Sequence, residues 1–124
     1  MRDYSPIDAV SELLMDVPEF VFVYGTDGRY LFVNRQAADF LGVEPLDVVG
    51  YHWRDLGYPE DIMEPLLARV MAVAASGVPD RYRLTSSPQR GSLELDFSFT
   101  PLRGDGPEVF GVLAIGHDIT AYVR

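Results

Sequence analysis

Between Leu93 and Thr100 the chain alternates without a break: Leu93, Leu95, Phe97 and Phe99 at odd positions, Glu94, Asp96, Ser98 and Thr100 at even ones. Successive side chains of a strand point to opposite faces, so the run specifies a β-strand with one face buried and one polar. A one-residue slip would expose every apolar group, so the register is fixed as well. The covering layer must come from elsewhere in the chain. At 124 residues, 48% of them apolar, there is material for one core and one domain.

The rest of the chain supplies more strands and the cover. Phe20–Tyr24 is a β-branched and aromatic run that reads as a buried strand. Asp27-Gly28 marks a hairpin turn, and Tyr30–Val33 returns from it. Arg81–Ser86 and Glu108–Asp118 are two further strands, flanking the alternating one, read as Ser92–Leu102; the turns are Pro88–Gly91 and Gly104–Pro107. Gly111, Ala114 and Gly116 mark close packing on the last strand.

Helical periodicity appears twice. Ser5-Pro6 opens a short amphipathic helix over about residues 6–16, with Ile7, Val10, Leu14 and Val17 at helical spacing and Pro18 ending the pattern. Asp61–Ala75 is the longest helix, with a wide stripe of Ile62, Met63, Leu66, Leu67, Val70, Met71 and Ala74; Pro65 is compatible with it only in the first turn. Asn34 caps a helix over Arg35–Leu41 that Gly42 stops, and short turns come after Pro45 and His52. The expected fold is α+β: a five-stranded antiparallel sheet with short helices and one longer helix on one face, plus the N-terminal amphipathic helix.

The formal charge of −9, carried against ten Arg and no Lys, opposes binding to nucleic-acid backbones and to anionic membranes. No secretory leader opens the chain, and the apolar stretch from Leu66 to Val78, broken by Arg69, is too short to span a bilayer. The expected location is cytoplasmic. The absence of cysteine excludes disulfides, thiolate zinc sites and cysteine nucleophiles. His52 and Asp55 are three apart but lack a convincing third metal ligand. His117 is expected to be an ordinary strand-end histidine or to pair with Asp118 or another carboxylate. No nucleophile has a recognisable base, so no catalytic residue is assigned and the chain is not expected to be an enzyme.

Several segments in order resemble one family. Asp27–Asn34 with Ala37-Ala38 and Leu41-Gly42, then Gly50, Asp55-Leu56 and Pro59–Asp61, then Phe97–Arg103, and finally Gly111-Val112 with Asp118-Ile119-Thr120, are similar to PAS domains over about residues 19–120. That resemblance implies a signal-sensing domain with residues 1–18 as a flanking helix. Residues 121–124 would begin a linker to an output domain, whether histidine kinase, transcription factor or cyclic-dinucleotide enzyme. It places a ligand between the inner sheet face and the helices, where Trp53, Leu56, Met63, Leu67, Met71, Tyr82 and Phe97 are candidate lining residues. Asn34, Asp118 and Thr120 are candidate relay residues. No cofactor is expected: haem-binding relatives use a His on the long helix, which has none here, and light-sensing flavin relatives use a Cys. A ligand-free homodimerisation module is the alternative, with the N-terminal helix pairing two copies or covering the outer sheet face. A cone-fold, isomerase-like enzyme is a third possibility, disfavoured because that fold normally begins with long helices before its sheet, whereas here the Asp-Gly hairpin comes before the long helix.

Overall fold

The computed structural model describes residues 6–85 and 93–120; the expected Ser5 cap, the Pro88–Gly91 turn and the linker at 121–124 lie outside the described residues. In chain order the elements are α1 (Pro6–Leu14), β1 (Phe20–Gly25), β2 (Tyr30–Val33), α2 (Arg35–Leu41), a 3-10 turn (Pro45–Asp47), α3 (Glu60–Ser76), β3 (Asp80–Thr85), β4 (Glu94–Arg103) and β5 (Val109–Asp118). The strands form one antiparallel sheet in the order β2-β1-β5-β4-β3. The last strand in sequence therefore lies at the centre, between the first hairpin and the β3–β4 pair.

The inner face is built by alternation. Phe20, Phe22 and Tyr24 of β1, with Leu95, Phe97 and Phe99 of β4, join one buried cluster with Met63, Leu66, Leu67, Val70 and Val73 of α3. Val21 and Val23 point the other way and form a second cluster with Phe32. Leu14, Met15 and Val17 pack there, so the segment at the end of α1 lies on the outer face. Because β1 is covered on both faces, its sequence reads as a continuous apolar run rather than an alternation.

The first hairpin departs from simple pairing. Gly28 adopts φ +85°, the left-handed conformation that a Cβ disfavours, and its N–H donates to the Gly25 carbonyl at 3.0 Å. The register then shifts between Val23 and Tyr24: Val23 pairs with Phe32, but Tyr24 pairs with Tyr30. This bulge leaves Leu31 on the outer side and turns Tyr30 inward beside Tyr24, their ring centroids 5.0 Å apart.

One sequence expectation is corrected. Pro65 lies inside α3, in its second turn, because the helix starts at Glu60 and the Met63 N–H already reaches the Pro59 carbonyl at 2.9 Å. The missing donor leaves the Asp61 carbonyl without its helical partner. Asp61 and Pro65 are both exposed, so water can serve that carbonyl and the helix continues.

Candidate functional site

A partly enclosed cavity of about 220 Å3 lies between the inner sheet face and the helices. Its sheet wall is Phe20, Phe22 and Tyr24 of β1, Tyr30 of β2, Leu84 of β3, and Leu93, Leu95 and Phe97 at β4. Phe40 and Leu41 of α2 and Tyr58, Pro59, Ile62, Met63 and Leu66 around the start of α3 complete it. Aromatic rings set its shape: Phe20 meets Phe40 at 5.2 Å, Phe22 meets Phe97 at 6.2 Å, and Phe22 stacks beside Tyr24 at 6.1 Å.

Three phenols are the polar groups of this wall. Burial raises the pKa values of both Tyr24 and Tyr30 well above that of an ordinary tyrosine. Burial also raises Tyr58. All three therefore stay neutral around pH 7. Among the described residues, the Tyr58 hydroxyl is the buried side-chain group without a hydrogen-bond partner. No charged side chain lines the cavity among those residues.

Of the seven lining candidates read from the sequence, Met63 and Phe97 stand on the cavity wall. Trp53, Leu67 and Met71 border a separate groove with His52, Arg54 and Glu64. Trp53 is buried with the Arg54 guanidinium 4.6 Å from its ring centre. Leu56 and Tyr82 pack against the inner core, and the Arg69 guanidinium lies 5.2 Å from the Tyr82 ring centre. Sequence reasoning missed the β1 side of the wall, although Phe20, Phe22 and Tyr24 recur at period two. It also missed Tyr58, which carried no periodic signal because it precedes the helix.

The relay candidates have defined partners. Asn34, fully buried, caps α2 by accepting from Ala37 N–H at 3.0 Å, and accepts from Val21 N–H at 3.1 Å. Its amide donates to the carbonyls of Leu14 at 3.1 Å, Val17 at 3.3 Å and Glu19 at 2.9 Å. One side chain thus joins the α1 exit, β1 and α2. At the other end, Thr120 donates its hydroxyl to Asp118 at 2.6 Å and accepts from Glu94 N–H at 2.9 Å. The hydrogen bonds that Asp118 accepts from Thr120, the side-chain one first, hold its carboxyl below the usual carboxylate range.

His117 pairs with Glu19, 2.9 Å from Nδ1, rather than with adjacent Asp118. The hydrogen bond and charge of Glu19 raise the imidazole pKa. His52 and Asp55 meet in a turn, where the Asp55 carboxylate accepts from the His52 N–H at 3.0 Å and faces Arg29 at 3.5 Å. Among the described residues no three His, Cys, Asp or Glu side chains gather as a metal site. No described helix is long and apolar enough to cross a membrane.

A PAS-fold family profile matches residues 14–124. The chain belongs to the PAS-fold family. Solved PAS structures share its architecture at low identity. The PAS domain of BvgS from Bordetella pertussis superposes with a TM-score of 0.78 at 18% identity, over 91% of this chain and 85% of that one. The PAS domain of the histidine kinase ThkA gives 0.65 at 20% identity, over 81% and 98%. VqmA of Vibrio cholerae, in a complex with ligand and DNA, gives 0.75 at 15% identity over 95% of this chain; the PAS chain spans 53% of that protein. No match is found among curated protein sequences.

Proposed function

We propose that this PAS domain is the signal-input part of a larger regulator, holding a small apolar molecule in its aromatic cavity and passing occupancy on through its Asp118–Thr120 exit. The observation that carries this reading is the cavity itself, which adjoins the route out. Phe97 forms part of its wall and pairs with Gly116 of β5. Two residues beyond Gly116 stands Asp118, tied to Thr120 and through it to Glu94. A ligand that favours one placement of Phe97 shifts the population of β5 arrangements, and with it the placement of the Asp118–Thr120 exit.

PAS folds occur in a histidine kinase, ThkA, and in VqmA, which is solved with ligand and DNA. Those settings support an output domain after residue 120, either a kinase or a transcriptional regulator. The reading requires neither haem nor flavin, and places the domain in the cytoplasm. The described lining contains no carboxylate, which supports binding over proton-transfer chemistry of the cone-fold isomerase type.

Native mass spectrometry of freshly purified protein, with a denatured control and an absorption spectrum, tests this reading. A small molecule retained only in the native spectrum is the expected result. Absence of any retained species, together with no response of the cavity residues to added apolar compounds, would overturn it.

Homodimerisation is a second reading. Leu102, Leu113 and Ile115 of the outer face are only partly buried, and a second copy could cover them through an isologous contact. Light scattering on the eluting protein decides it: a dimer mass independent of ligand is expected if pairing is the main role.

A further inference from the structure

Tyr58 lines the cavity, and its hydroxyl is buried with no hydrogen-bond partner among the described residues. A buried, unpaired phenol is costly, and a bound group that accepts a hydrogen bond from it recovers that cost. The rest of the lining is apolar and rich in aromatic rings, Phe22, Phe40 and Phe97 among them, against which a flat ring can stack or pack edge-on. A cavity of about 150 Å3 holds benzene, so 220 Å3 at the same packing holds about nine non-hydrogen atoms. No charged side chain among the described residues would balance an ion there.

We infer that the cavity takes a neutral, planar, single-ring compound of about nine non-hydrogen atoms, whose one hydrogen-bond acceptor, a carbonyl oxygen or ring nitrogen, receives the Tyr58 hydroxyl. This assignment rests on the sensing reading and narrows it. Tyr58 is then a specificity-determining residue: it selects among compounds of equal shape by the presence of an acceptor.

Three probes of nearly one shape separate the contributions. Acetophenone carries the acceptor, α-methylstyrene replaces the oxygen with a methylene, and benzoate adds a charge. Each is titrated by two-dimensional NMR into the wild-type chain and into Tyr58→Phe, with thermal unfolding to verify that the variant is folded. Acetophenone is expected to weaken about five- to ten-fold in the variant, with α-methylstyrene changing less than about two-fold. Benzoate is expected to bind the wild type at least about ten-fold more weakly than acetophenone. Equal effects of Tyr58→Phe on the two neutral probes, or benzoate binding as well as acetophenone, would overturn the assignment and leave the sensing reading standing. Binding of neither neutral probe to the wild type would overturn both.

Discussion

Replacing Asn34 with alanine removes every hydrogen bond its side chain makes. Two are accepted, from Val21 and Ala37 N–H groups in buried surroundings. The two Asn34 amide hydrogens are shared among three carbonyls, which are only part-buried and can recruit water in the variant. At about 1 kcal/mol net for each bond, with the part-buried ones discounted, the expected loss is ~3–4 kcal/mol. That is a large fraction of the ~5–15 kcal/mol that holds an ordinary domain together. It corresponds to a fall in Tm of ~10–20 °C at this size. Urea unfolding followed by circular dichroism measures it, with an unchanged slope m showing that only stability has moved. Asn34→Asp supplies an internal control. The carboxylate keeps the acceptor role but cannot donate to the Leu14, Val17 and Glu19 carbonyls, and it is buried as a charge. Burial raises the introduced carboxyl's folded pKa above its unfolded value near ~3.9, so its penalty is absent at lower pH and grows as pH rises through the interval between the two. A loss below about 1 kcal/mol for Asn34→Ala, or a pH-independent penalty for Asn34→Asp, would refute the account of Asn34 as the joint between α1, β1 and α2.

Other outcomes rest on single contacts. The His117 imidazole is raised by Glu19, so its contribution to stability is complete below about pH 6.5, the unfolded value, and disappears as pH rises through the folded value; His117→Gln is expected to differ from wild type in acid and converge with it in alkali, as read by thermal unfolding across pH. Thr120→Val removes the two bonds that Thr120 Oγ1 makes, so the Asp118 pKa, followed by carbonyl-carbon NMR, is expected to rise towards its ordinary value; no change would show that Thr120 does not hold it. A Cβ on Gly116 would stand 2.9 Å from the Phe97 ring, so Gly116→Ala is expected to push that ring into the cavity, cost ~1–3 kcal/mol, and weaken acetophenone binding more than it weakens folding; unchanged binding would separate Phe97 from the site.

What could be read from the sequence was local. Strict alternation from Leu93 to Thr100 specified a strand with one covered face, and the structure gives β4 that alternation of burial. The Asp27-Gly28 turn and the Asn34 cap were legible because turn and cap chemistry act over two or three residues. The stripe on Asp61–Ala75 declared a helix, but it is wide enough that two sides of α3 are apolar. Met63 and Leu66 face the cavity, while Leu67 and Met71 border the groove beside Trp53. Periodicity marks an apolar stripe and does not say which part of it meets empty space.

Tertiary structure decided what distance in sequence conceals. Placing β5 between β1 and β4 brings Phe22 of the first strand against Phe97 of the fourth and makes an aromatic wall that neither segment announces. The bulge at Tyr24 decides that Tyr30 turns inward, and so sets two phenols near the third. Glu19 and His117 are 98 residues apart and meet only because β1 and β5 are neighbours. Strands, turns and caps arise from backbone preferences carried by neighbouring residues. The cavity and its polar group arise from which faces the sheet order brings together, and that is fixed only when the whole chain packs.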